Sequence, residues 1–324
     1  MNHRLLAVAV TAAALLAAGC GSDAEKSTAT PPAVTGAPST AAAASTTVAP
    51  VATEAVTSTA PAGAVKKAIV SLSPSATEML FAIGAGSQVI AVDDQSNYPA
   101  EALQKPHDLS GYQPNVEAIA KLKPDLVVIG GDFTGLTDQL KSVHIDVWNG
   151  PAATGFDDVD TQIEQLGALT GHVGEAAQLV SKIHTGIDAA VRSAPKLDRP
   201  LSYYHELDPT FFSVTSNAFI GHVYSLFGLR NIADISEGDN DYPQLSAEAI
   251  VAANPDLIFL ADTKCCQQNA ATVGARDGWS QIAAVKNGNV FVMDDDVASR
   301  WGPRIVDYVQ AVADALSTAT VPVG

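Results

Sequence analysis

The chain has 324 residues, enough for two domains of ordinary size or one large one. Its 18 Lys plus Arg stand against 35 Asp plus Glu, and the resulting charge of -17 excludes an electrostatic binder of nucleic acid. A hydrophobic fraction of 47% is enough for a substantial core, and nearly all of the acidic excess lies beyond residue 65, so a soluble acidic body is expected there.

The chain opens as an address. Met1 to Arg4 form a short basic start, and the apolar run Leu5–Ala18 is too short to span a bilayer comfortably. Ala18-Gly19-Cys20 follows at once, which reads as a lipoprotein signal peptide over residues 1–19 with diacylation of the Cys20 thiol. A plain secretory signal with an incidental cysteine is the alternative. Residues 21–65 are almost entirely Ala, Ser, Thr, Pro, Gly and Val, and no aromatic residue precedes Phe81. Such a segment buries too little apolar area to offset its ordering entropy, so residues 20–65 are expected to form a disordered tether with a random-coil span of roughly 40 Å.

Periodicity begins at Ala68. Ala68–Leu72 reads as a buried strand, and Ser75-Ala-Thr-Glu78 as a capping box opening a helix Ala76–Ile83. Strands are expected at Gln88–Val92, Leu126–Ile129 and His144–Trp148, with helices at Glu117–Leu122 and Leu136–Ser142. A single helix over about Gly174–Arg192 follows, with Val180, Ile183, Ile187 and Val191 along one face. Alternating strands and helices predict an α/β fold built on mostly parallel sheets.

An internal repeat refines this. Val116-Glu-Ala-Ile-Ala-Lys-Leu-Lys-Pro-Asp-Leu-Val-Val-Ile129 returns 131 residues later as Ala247-Glu-Ala-Ile-Val-Ala-Ala-Asn-Pro-Asp-Leu-Ile-Phe-Leu260. Each copy reads as a short helix, a Pro-Asp turn and a buried strand. Two similar lobes are therefore expected, residues 66–173 and 196–324, joined by the helix over 174–195.

Residues 66–324 resemble the substrate-binding proteins of ABC importers, and most closely class III of the periplasmic binding proteins, which binds ferric siderophores, cobalamin and haem. Four features carry the resemblance: Ser71-Leu-Ser-Pro-Ser-Ala-Thr-Glu78, Ser96-Asn-Tyr-Pro99, the two Glu-x-Ile…Pro-Asp-Leu copies, and Asp296-Val-Ala-Ser-Arg-Trp-Gly-Pro-Arg304. It implies two Rossmann-like lobes, one rigid connecting helix and a ligand cleft between the lobes. It also implies cleft positions at Tyr98, Asp296 and Arg300, and an ABC permease with its ATPase as partners of a monomeric receptor. Glu117 and Glu248, at the same place in the two copies, match the residues through which such proteins dock on the permease. Beside that stands the simpler reading, that each glutamate stabilises its own helix through the dipole by about 0.3–1 kcal/mol.

Enzyme signatures are absent from the sequence. No glycine-rich nucleotide loop follows a strand, no nucleophile elbow is present, and the seven histidines lack tight metal-ligand spacing. No intrinsic cofactor and no metal site are expected. Ligand-binding residues of an α/β lobe belong at the carboxyl ends of strands. That rule selects Ser73, Ser75, Tyr98, Phe133, His205 (after an expected strand Leu201–Tyr204), Phe211, Phe212, Asp296, Arg300 and Trp301. The aromatics would stack on a large flat ligand, or else pack within their own lobes.

Cys265-Cys266 has no third cysteine in the body to bond. Outside the cytoplasm the neighbours are expected to bond each other, making an eight-membered ring that serves as a rigid apolar knob beside the cleft; two reduced thiols are the other reading. The function expected is extracytoplasmic capture of a metal chelate by a lipid-anchored receptor. A ferric siderophore comes first because Arg300 suits an anion, with a corrinoid next. Haem would need an axial ligand from His205, Tyr204 or His222. A cell-surface enzyme and a signalling or scaffold lipoprotein are the rivals of another class.

Overall fold

The computed structural model describes residues 64–236 and 240–320. The signal peptide, Cys20 and the tether up to residue 63 lie outside the described residues.

The body holds two four-stranded sheets. In the first, β1 (Ile69–Leu72), β2 (Val89–Val92), β3 (Leu126–Ile129) and β4 (Val147–Asn149) run in the order β2-β1-β3-β4. In the second, β5 (Ser202–Glu206), β6 (Arg230–Asn231), β7 (Leu257–Leu260) and β8 (Val290–Val292) run in the order β6-β5-β7-β8. Every pairing is parallel. The orders match position for position, and the 131-residue repeat lays β3 on β7 without a shift.

The repeated Pro-Asp has a job in each lobe. Asp125 accepts from the backbone N–H groups of Lys67 and Ala68, just before β1. Asp256 accepts from the Ser202 N–H at the start of β5, and from the Arg199 guanidinium. Each aspartate thus ties the start of its own strand to the neighbouring strand, fixing the register of the central pair. The helix before each turn is capped alike, Asn115 accepting from Ala118 N and Ser246 from Ala249 N.

The connecting helix, Val173–Ser193, is 21 residues long and buries Ala176, Ile183, Ile187 and Ala190. It packs on the helices Phe156–Thr170 and Ile305–Thr318. One continuous core runs through both lobes, from Ile69 and Val128 past Ile183 to Phe259 and Val309. Each sheet covers its other face separately, with Val127 and Ile129 in one lobe and Ile258 and Leu260 in the other. Alternate strand residues therefore serve different cores, as two-faced parallel sheets require.

Three local expectations need correction. The first helix is Pro74–Ala82, capped by Ser73 rather than Ser75, because Pro74 supplies a helical φ and lacks the N–H that a first-turn residue would leave unbonded. β4 begins at Val147 rather than at His144, whose φ of 62° ends the preceding helix. β5 extends to Glu206, two residues further than expected, and this moves His205 into the sheet.

Candidate functional site

The carboxyl ends of both sheets turn to the same interlobe boundary. Loops after β2 and β8 meet there, Asn97 donating from Nδ2 to the Asp296 carboxylate at 3.2 Å. A Cβ on Gly111 would lie 2.9 Å from the Leu72 carbonyl, and one on Gly130 would lie 2.9 Å from Ser73 Oγ. These two glycines let loops close directly over the end of β1, and they carry Tyr112 and Phe133 outward. Tyr112 is 80% exposed and Phe133 91%. The Phe133 loop is held from below by Asp132, whose carboxylate accepts from Leu136 N and Thr137 N. The second lobe presents Phe212 and Tyr242, both partly exposed, from adjoining loops beyond β5.

A charged cluster ties the lobes together. Glu78, only 2% exposed, comes from the first helix and accepts from Arg300 Nη1 at 2.9 Å. It also accepts from Arg304 Nε at 2.8 Å and Nη2 at 2.6 Å. Arg300 donates further to Asn97 Oδ1, the Gln95 carbonyl and Asp296. Arg304 lies over the Tyr98 ring, 4.2 Å from its centroid. Lys264 closes the set, its Nζ 2.8 Å from both Asp294 and Asp296. These contacts hold the Asp294 and Asp296 carboxyls below the usual aspartate range despite partial burial.

Beneath the second lobe's strand ends lies a buried acid pair. Glu206 receives a bidentate bond from Arg276 at 2.6 Å on each oxygen, and the guanidinium stacks on Trp279 and Phe211. Asp262, adjacent and fully buried, has no hydrogen-bond partner on either oxygen among the described residues. Burial and the neighbouring Glu206 push its carboxyl up to about 7. In the first lobe, burial raises Asp93 to about 6.

The sequence-derived residues sort accordingly. Asp296 and Arg300 sit at the interlobe boundary, with Tyr98 beside them. Phe133 and Phe212 are exposed at strand ends. Ser73 and Ser75 are buried at the start of the first helix. Trp301 is half-buried and donates to Gln162 Oε1 at 3.2 Å. Phe211 is not at the boundary: it stacks on Trp279 at 5.7 Å within its own lobe. His205 must also be withdrawn from the boundary, because β5 carries it inward. It is fully buried, its Nδ1 lies 2.9 Å from Tyr224 Oη, and burial lowers its pKa to about 3. Tyr204 is equally buried, and His222 lies on the helix Phe219–Ser225 beside Gly155. Of the three expected haem ligands, Tyr204 and His205 are thus buried within β5 and His222 lies on a helix.

The sequence reading missed Tyr112, Tyr242 and Glu78. Tyr112 follows Gly111 in a run with no period, and only its exposure marks it. Cys265 and Cys266 are joined through their sulfurs on the short helix Thr263–Cys266, at the end of β7. Glu117 and Glu248 are exposed in the first turns of their helices, with no ion-pair partner among the described residues. A hollow of about 900 Å³ lies between the first helix, the connecting helix and the start of the last one; it shares Glu78, Tyr98 and Arg304 with the charged cluster and has Phe81, Leu179 and Ile183 in its wall. No helix among the described residues is long and apolar enough to cross a membrane.

A family model described as periplasmic binding protein matches residues 69–297. YvrC of Bacillus subtilis (strain 168), an uncharacterized ABC transporter substrate-binding lipoprotein, is 33% identical over 258 residues, covering 77% of this chain and 80% of the relative. A cobalamin-binding protein of Halobacterium salinarum is 31% identical over 261 residues, covering 78% and 70%. Among solved structures, a possible iron-binding periplasmic solute-binding protein of Staphylococcus epidermidis superposes with a TM-score of 0.67 at 25% identity, covering 78% of this chain and 98% of that one.

Proposed function

The chain belongs to the periplasmic binding protein family of ABC transporter substrate-binding proteins, and from that premise we propose that it captures a corrinoid at the interlobe boundary and delivers it to a permease. One observation carries the choice of ligand. The loops beyond the strands offer large exposed aromatic faces, Tyr112 and Phe133 from the first lobe and Phe212 and Tyr242 from the second, while Arg300, Lys264 and Arg276 are already engaged. Arg300 is held by Glu78 and Asp296, Lys264 by Asp294 and Asp296, and Arg276 by Glu206.

A ferric siderophore with a strong negative charge would meet these carboxylates without a free guanidinium to offset them. Releasing Arg300 would leave Glu78 buried and deprived of a partner, a cost of several kcal/mol. A corrinoid brings a broad apolar macrocycle and neutral amides instead, and aromatic faces suit it. The similarity to a cobalamin-binding protein supports the same reading.

Calorimetric titration with cyanocobalamin, haemin and a ferric hydroxamate tests it. Sub-micromolar binding of cyanocobalamin alone is expected; silence toward cyanocobalamin with binding of the hydroxamate would reassign the ligand. Capture and release require no covalent step, so the reading is of a receptor and not an enzyme. Glu117 and Glu248 belong to the same proposal as paired permease contacts, since the repeat sets one exposed carboxylate at an identical place on each lobe. So does anchoring through a lipidated Cys20, which keeps the receptor at the membrane that holds its permease.

A further inference from the structure

We propose that the bonded Cys265–Cys266 pair is the second lobe's ligand platform, the counterpart of Phe133 in the first, and that it packs against the apolar face of a macrocyclic metal chelate. The inference rests on the receptor reading above.

The repeat locates it. Shifted by 131 residues, Phe133 falls on Lys264, so the cysteine pair occupies the two positions next to the one that carries an exposed ring in the other lobe. Both segments follow directly on the central strands β3 and β7, at carboxyl ends that face the boundary. Cys265 is exposed and Cys266 half-buried, so the ring presents a surface and is not core filling.

The platform is also fixed. Asp295 accepts from three successive backbone N–H groups, those of Thr263, Lys264 and Cys265, at 3.0, 2.7 and 3.1 Å. On the other side Cys266 N donates to the Asp262 carbonyl. The Lys264 side chain is drawn to Asp294 and Asp296, clear of the ring. One carboxylate, Asp295, thus pins the turn that carries the two sulfurs. Two thiols would each carry a weak donor and free rotation; the ring carries neither and stays polarizable, which suits dispersion contact with a conjugated face.

If ligand rests on the ring, the ligand must shield it, and its affinity must depend on it. Two measurements on the whole protein test this. In the first, cyanocobalamin binding is compared calorimetrically between the wild type, Cys265→Ala/Cys266→Ala and Phe133→Ala. About a tenfold loss of affinity is expected in each variant. In the second, the protein is treated with a water-soluble phosphine, which donates two electrons to the S–S bond and takes an oxygen from water while both sulfurs gain protons. Reduction is followed by alkylation and mass spectrometry of the peptide holding Cys265 and Cys266. Saturating cyanocobalamin is expected to slow reduction at least tenfold.

A ring that only braces its own loop would be reduced at the same rate with and without ligand, and that result overturns the platform while leaving the receptor reading intact. Unchanged affinity in the double alanine variant overturns it likewise. Failure of the wild type to bind cyanocobalamin at all overturns the corrinoid reading, and the platform with it.

Discussion

Replacing Glu78 by alanine removes the one carboxylate that holds two arginines of the other lobe. The side chain is buried, and so are most of Arg300 and Arg304, at 10% and 16% side-chain exposure. Deleting one partner of a buried pair typically costs about 3–5 kcal/mol, because the remaining charge keeps its desolvation and loses its compensation. Here the cost falls toward the lower end. Arg300 keeps Asn97, the Gln95 carbonyl and Asp296, and Arg304 keeps the Tyr98 face. About 3 kcal/mol is expected. In a body of this size 1 kcal/mol moves the thermal midpoint by roughly 2–3 °C, so scanning calorimetry at neutral pH should show a fall of about 6–9 °C. Glu78→Gln, which keeps an acceptor, should fall between. Pairing Glu78→Ala with Arg304→Met should destabilise less than the sum of the single changes, since the second change removes a charge the first one orphans. A midpoint within 2 °C of the wild type for Glu78→Ala would refute the claim that this cluster bonds the lobes.

Asp262 sets a pH dependence: its carboxyl rises from the 3.8 of a free aspartate to about 7, so the folded state keeps a proton that the unfolded state has lost, and this contribution to stability disappears as pH rises from about 4 to 7. Asp262→Asn should flatten that slope and stabilise the protein at pH 8, read from urea midpoints across the range; identical slopes would contradict the assignment. Tyr112→Ala should weaken cyanocobalamin binding about tenfold with an unchanged thermal midpoint, because the ring is exposed and supports no core; full affinity would remove it from the site. Glu117→Ala/Glu248→Ala should leave ligand affinity unchanged while lowering uptake in cells, and normal uptake by the double variant would return both residues to helix capping alone.

What the sequence discloses is set by the range of the interaction that makes each feature. The repeat exposes two lobes of like plan because a helix, a Pro-Asp turn and a strand are built from contacts within about fifteen residues, whereas the strand order in each sheet rests on pairings between distant segments and emerges only in the structure. The connecting helix is legible for the same reason, its apolar face recurring every three to four residues. His205 was misplaced because a strand end is decided by pairing with β7, which lies some fifty residues on, and not by its own neighbours. The interlobe cluster is the harder case, since Glu78 and Arg300 are 222 positions apart. Even so, it leaves a trace. Glu78 directly precedes Met79 and Leu80 on a helix whose face toward the sheet is apolar, and a carboxylate in such a place must find a cation. Beyond Lys286 the chain has only two cations, Arg300 and Arg304, four residues apart. A capping box was the nearer explanation for Glu78, yet Pro74 had already begun the helix, which left the glutamate two residues beyond the position from which it could reach the cap. Its burial, and not its spacing from Ser75, is the feature that requires the arginines, and through them the alignment of the two lobes around the site.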